Sequence, residues 1–132
     1  MNRYNKIYFI FLILFIFSCK DKNKDYTSIT GSWRCEELGS LNSKVYTVDI
    51  EKSSSDETQY AIYNFYNKGY EEKIYMKLEN DTFRIETQFI GATTVSVEGF
   101  GVSSSDFTTM TFQYTIYDDI STVDINANFT HL

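Results

Sequence analysis

MTFQYTIYDDISTVDINANF, residues 110–129, decides the fold. Met110, Phe112, Tyr114 and Ile116 alternate with Thr111, Gln113 and Thr115. After a polar link at 118–121 the alternation resumes in Val123, Ile125, Ala127 and Phe129. Successive side chains of a strand point to opposite faces, so a period of two rather than 3.6 marks strands with one buried face. The link is of hairpin length, and the segment reads as two antiparallel neighbours.

Working outward, the same period recurs six more times. Strand one, about 28–37, sets Ile29, Gly31, Trp33 and Cys35 on one face. Strand two, about 44–52, aligns Tyr46, Val48 and Ile50, with Thr47, Asp49 and Glu51 toward water. Strand three covers about 58–66, strand four carries Ile74, Met76 and Leu78, and strand five carries Phe83, Ile85, Thr87 and Phe89. Strand six, about 93–101, turns Val95 and Val97 inward. The links at 53–56, 67–69, 80–81, 91–92, 103–106 and 118–121 are rich in Gly, Ser, Asn and Asp, so strands adjacent in sequence are expected to be adjacent in space. The expected fold is all-β, an eight-stranded antiparallel up-and-down meander. An open sheet of this kind would leave two exposed edges, which favours a closed barrel over an open sheet or a sandwich.

Composition agrees. Aromatic residues make up 17% of the 132 residues and proline is absent, which suits half-buried strands. The chain carries 12 basic and 18 acidic side chains. Setting aside Arg3 and Lys6, then Lys20, Lys22, Lys24, Asp21 and Asp25, leaves 7 basic against 16 acidic, a net charge near −9 from residue 26 on. A domain of that sign repels phosphate backbones and anionic headgroups, so nucleic-acid binding and electrostatic adhesion to membranes are disfavoured. Its 107 residues suffice for one core that buries roughly 65% of the surface the unfolded chain exposes.

The amino terminus has a different grammar. Arg3 and Lys6 precede an unbroken apolar run at 7–17, followed by Ser18 and Cys19, which is the layout of a secretory signal. As a helix the run would measure about 16 Å, against a hydrocarbon thickness of about 30 Å, too short to span. Ile16, Phe17, Ser18 and Cys19 resemble the lipobox of bacterial lipoproteins. The resemblance implies cleavage before Cys19, a diacylglyceryl group on its sulfur and a lipid-anchored place at the cell envelope, with the outer membrane expected. The alternative is an uncleaved hydrophobic anchor. The segments are therefore 1–18 (signal peptide), 19–27 (lipidated cysteine and tether) and 28–132 (β domain).

Gly31, Ser32 and Trp33 on the first strand resemble the G-x-W signature of lipocalin-like barrels. Stretches at 46–50, 62–65, 97–101, 112–118 and 127–130, with Gln88, are similar to a group of small lipocalin-like bacterial lipoproteins. The resemblance implies an eight-stranded barrel and a small apolar ligand. In lipocalins proper a basic residue late in the barrel packs over the tryptophan, and residues 121–132 contain no Arg or Lys.

Catalytic constellations are not expected. His131 is the sole histidine and is penultimate, where fraying is expected. Cys35 reads as a buried small hydrophobe, without a disulfide partner once Cys19 is lipidated. The pairs Glu36/Glu37, Glu71/Glu72 and Asp118/Asp119 read as solvated faces and loops, since adjacent strand residues point apart. Asp106, Asp118 and Asp119 would form a weak calcium site only if their loops converged, and no spaced loop motif supports one. The segment 99–101, Gly-Phe-Gly, lacks the third glycine and the helix of a dinucleotide loop, and reads as a strand bend. No enzyme, metal or cofactor is expected, and the domain is expected to be monomeric.

What remains is the expected inner face: Trp33, Tyr46, Met76, Phe83, Phe89, Met110, Phe112, Tyr114, Ala127 and Phe129. Eight-stranded barrels are either filled by their own side chains or hold one small ligand. Two functional readings follow. In one, the barrel binds a small apolar molecule, with Trp33, Tyr46, Met76, Phe89, Phe112, Tyr114 and Ala127 lining the site and Tyr46 and Tyr114 as polar handles. In the other, a filled barrel presents solvent-facing Tyr63, Phe65, Tyr75 and Tyr117 to a protein or glycan partner.

Overall fold

The computed structural model describes residues 26–39 and 43–132. The expected signal segment, Cys19 and most of the expected tether lie outside them. Eight strands follow one another: β1 (Gly31–Leu38), β2 (Ser43–Lys52), β3 (Gln59–Tyr63), β4 (Lys73–Glu79), β5 (Thr82–Phe89), β6 (Ser96–Ser103), β7 (Thr109–Tyr117) and β8 (Thr122–His131). Each pairs antiparallel with its sequence neighbour, and β1 also pairs with β8, closing an up-and-down barrel. Closure leaves no sheet edge.

The hairpin that decides the fold has the register its alternation requires. Met110 faces Phe129, Phe112 faces Ala127 and Tyr114 faces Ile125 across β7 and β8, and all six are buried. Trp33, Cys35, Val48, Ile50, Ile62, Ile74, Met76, Phe83, Ile85 and Val97 complete the interior. Gly99 and Gly101 hold inward positions opposite Tyr114 and Phe112. A Cβ at Gly101 would fall into the Phe112 ring, so the glycine makes room for the aromatic residue across the ladder.

Two elements depart from the expected alternation. In β5 the register shifts between Ile85, which pairs with Gly99, and Gln88, which pairs with Val97. Two residues, Glu86 and Thr87, thus oppose Glu98 alone, the definition of a β-bulge. The extra residue reverses the faces beyond it. Thr87 and Phe89 are exposed, and Ile90, just past the strand, is buried instead. On the other side of β5, Gln88 bonds to β4: its Nε2 donates to the Tyr75 carbonyl and its Oε1 accepts from the Tyr75 amide, both at 2.7 Å. The second departure is the early end of β3. Asn64 adopts a left-handed conformation (φ 58°), and the chain leaves the sheet in a 3₁₀ turn, Phe65–Asn67.

Hairpin alternation gives the barrel two ends. One gathers the start of β1, the end of β8 and the β2–β3, β4–β5 and β6–β7 links. The other gathers the β1–β2, β3–β4, β5–β6 and β7–β8 links. Asp106 belongs to the first end and Asp118 and Asp119 to the second, so they cannot share an ion. Asp106 and Asp118 brace their own turns, accepting the amides of Thr108 at 3.1 Å and Ser121 at 2.7 Å.

Candidate functional site

The tryptophan end is sealed. Trp33 is fully buried and its Nε1 donates to the Ile29 carbonyl at 2.8 Å. His131 stacks on it with ring centroids 4.2 Å apart, and Tyr26 stacks on the other face of His131 at 3.7 Å. The expectation that His131 frays is therefore corrected. It lies on β8, its amide donates to the Thr108 carbonyl at 2.9 Å, and its Nδ1 donates to the Phe107 carbonyl at 2.9 Å. A β-strand ladder and two aromatic faces hold the chain end. Gly31 has a backbone conformation that favours glycine (φ 128°), and a Cβ there would approach His131 Nε2 to 2.8 Å. The glycine and the tryptophan thus serve one stack.

The opposite end holds buried polar chemistry. Glu37 shares the inward parity of Trp33 and Cys35, and it is only 3% exposed. The expectation that both members of the Glu36/Glu37 pair face water is therefore corrected: only Glu36 keeps water contact. Tyr46 on β2 donates its hydroxyl to Glu37 Oε1, and Tyr114 donates to the same oxygen at 2.6 Å. The second bond crosses the barrel from β7 to β1, so three strands meet on one carboxylate oxygen. Cys35 lies beside the cluster, directly opposite Tyr46 in the ladder.

Burial sets the electrostatics. It pushes the Cys35 thiol up to about 12, with Glu37 adding to the effect. Burial likewise lifts the Tyr46 and Tyr114 phenols well above their ordinary range, reinforced by neighbours that include Glu37. All three groups stay protonated at neutral pH. They are therefore hydrogen-bond donors rather than activated nucleophiles.

Phe65 roofs this cluster. Expected to face solvent, it is fully buried, with its ring centroid 4.9 Å from that of Tyr114. The turn that carries it is pinned by Asn64, whose Nδ2 donates to the Thr47 carbonyl and whose Oδ1 accepts from the Gly69 amide, both at 2.8 Å. Tyr66 and Asn67 also have positive φ, 56° and 55°. Glu72 ties the segment to the next link by accepting the Ala92 amide at 2.6 Å. The loop is thus a fastened plug rather than an open rim.

Of the residues expected to line a ligand site, Trp33, Met76, Phe112, Tyr114 and Ala127 are buried inside the barrel, and Tyr46 is half-buried against the same core. Phe89 is not among them: the bulge turns it outward, 63% exposed. Trp33 lies at the end away from Tyr46 and Tyr114. Sequence reasoning missed Glu37 and Phe65. The inward parity of Glu37 was a usable signal; for Phe65, nothing in the alternation announced that β3 would stop at Tyr63.

No family model and no curated protein matches this chain. Among the described residues no group of three or more His, Cys, Asp or Glu could hold a metal ion.

Proposed function

We propose that this chain is a lipid-anchored protein of the bacterial cell envelope, held on the outer membrane through Cys19, whose barrel takes a small, largely apolar ligand at the end plugged by Phe65. One observation carries the ligand reading: a buried carboxylate, Glu37, fixed by Tyr46 and Tyr114 inside an otherwise apolar barrel. Burying a carboxylate weakens a core that an apolar side chain would fill without penalty. A polar group convergent on a greasy interior is the usual composition of a small-molecule site. The role proposed is binding rather than catalysis: the thiol and phenols beside Glu37 are held protonated, which disfavours them as nucleophiles. The anchor rests on the sequence at 7–19.

A second reading has its own observation. The interior is occupied by large side chains, and a concavity of about 830 Å³ lies on the outside of β5–β8, bordered by Arg84, Glu86, Glu98, Phe100, Gln113 and Asp124. In that reading the barrel is a filled scaffold for a protein or glycan partner.

Uptake of an environment-sensitive apolar dye by residues 26–132 separates the two. Saturable, one-to-one uptake that Ala127→Phe abolishes without unfolding the barrel is the expected result. Absence of uptake, with no envelope lipid or isoprenoid raising the melting temperature, transfers the function to the outer face. A saturating ligand at a hundredfold excess over Kd should stabilise by about 2.7 kcal/mol. For the anchor, Cys19→Ser should abolish incorporation of labelled palmitate in cells and leave an uncut precursor; normal labelling contradicts it.

A further inference from the structure

The outer wall of a closed barrel curves away from solvent, yet over β5–β8 it holds a concavity of about 830 Å³. Two irregularities meet there. The β5 bulge sets Glu86 and Thr87 against Glu98, which bends the strand, and Gly99 beside it has no side chain. Across the concavity the registers place Arg84, Phe100, Gln113 and Asn126 in one row, one from each of the four strands. At roughly 4.8 Å per strand the row spans about 14 Å. The Phe100 ring is 50% exposed, and the three polar side chains of its row are exposed with it. Arg84 is not tied to the acids around it: the single ion pair among the described residues joins Arg34 to Glu36. In the neighbouring row the carboxylates are already oriented. Glu98 accepts the Thr87 hydroxyl at 2.5 Å and the Tyr117 hydroxyl at 2.7 Å, and Asp124 accepts the Thr115 hydroxyl at 2.7 Å. A carboxylate has about four acceptor positions, so both keep capacity for further donors.

We propose that this concavity binds a neutral oligosaccharide, with the C–H face of one pyranose ring on Phe100 and the hydroxyls around it bonded by Arg84, Gln113, Asn126, Glu98 and Asp124. This rests on the outer-face reading above, to which it adds the chemical class, and it is independent of what the barrel interior holds. A pyranose presents what the row meets: an apolar face of C–H groups, which the negative face of an aromatic ring attracts, and a rim of hydroxyls that both donate and accept. Carboxylates held in place by neighbouring hydroxyls lose little side-chain freedom in accepting from that rim. A protein partner fits less well. The core of a protein interface is rich in aromatic residues and poor in charge, whereas this row has one ring among polar heads. The volume is that of a small-ligand site. Charge selects among saccharides: Glu86, Glu98 and Asp124 against Arg84 alone repel an anionic one.

The test titrates the full chain in nanodiscs, against empty nanodiscs, with neutral tetrasaccharides of α- and β-linked glucose, of mannose and of N-acetylglucosamine, with anionic tetragalacturonate, and with octalysine. At least one neutral tetrasaccharide should bind saturably, and saturation-transfer NMR should place its ring C–H protons closest to the protein. Phe100→Ala should weaken that binding by about tenfold or more, whereas Phe100→Tyr should retain it. Saccharide binding that Phe100→Ala leaves unchanged overturns the site. Tetragalacturonate binding as tightly as the neutral saccharide overturns the neutral class. With no saccharide bound, octalysine binding that Phe100→Ala weakens overturns the saccharide assignment alone and leaves the outer face as a protein surface. Octalysine that fails to bind, or binds regardless of Phe100, then overturns the outer-face reading as well. The wild-type panel decides the chemical class even if a variant does not fold.

Discussion

At the scale of single residues, two buried groups make opposite demands. Trp33 is a packing residue: it is fully buried, its indole nitrogen is satisfied, and His131 lies on its face. Trp33→Ala should destabilise the barrel by about 3 to 5 kcal/mol through lost burial and the cavity left behind. Chemical denaturation measures this, and a loss below about 1 kcal/mol would mean that the indole does not close the barrel. Cys35, Tyr46 and Tyr114 are instead groups that the fold keeps neutral. In the unfolded chain the thiol ionises near its ordinary value of 9.0 and the phenols near 10.0, whereas burial raises all three in the folded barrel, Cys35 to about 12. A raised folded value favours the protonated fold, so the stabilisation is complete below about pH 9 and is lost as pH rises toward 12. The melting temperature should be level from pH 7 to 8.5 and fall steadily from pH 9 to 11, with Cys35→Val shallowing the first part of the fall. A level profile to pH 11 would place these groups in water.

At the scale of elements, β5 shows how much of the fold the alternation revealed and where it failed. Six strands run with the parity the sequence states, because each buries one face and a one-residue slip would expose the whole set, whereas the short β3 buries Tyr60, Ala61 and Ile62 in succession. In β5 the letters after Ile85 still alternate apolar with polar, since Thr87 and Phe89 pass for an inward pair. The bulge is a property of pairing with β6, where Glu98 opposes two residues and receives the Thr87 hydroxyl at 2.5 Å, and no pattern within β5 encodes it. The same limit hid the plug. That β3 ends at Tyr63 depends on Asn64 bonding to Thr47, a contact made 17 residues away in sequence. Glu37 is legible by parity, since it shares the face of Trp33 and Cys35, although a carboxylate is the residue type least expected there. These assignments give opposite expectations for neighbours: Phe89→Ser should change stability by less than about 0.5 kcal/mol, as surface substitutions do. Ile90→Ala should cost about 2 to 5 kcal/mol as a buried truncation. A large loss at 89 with a small one at 90 would put β5 in uninterrupted register.

At the scale of the molecule, closure divides the labour between the ends. Joining β1 to β8 places the Tyr26–His131–Trp33 stack over one end, and a turn of the β3–β4 link carries Phe65 over the other. Ladder hydrogen bonds hold the sealed end, while side-chain and turn hydrogen bonds hold the plug, which makes it the part that can open at least expense to the rest. The acidic surface disfavours direct contact with anionic headgroups, so an attachment at Cys19 through a tether of at most about 26 Å would let the domain sit just clear of the membrane. The claim that joins these features is that a ligand reaches the Glu37 cluster by displacing Phe65. A fluorine label on the ring of residue 65, read by fluorine NMR, tests it most directly. Saturation with a bound apolar probe should move the resonance from a buried position to a solvent-exposed one, in proportion to occupancy. A resonance that stays buried while the probe is stoichiometrically bound would contradict the account.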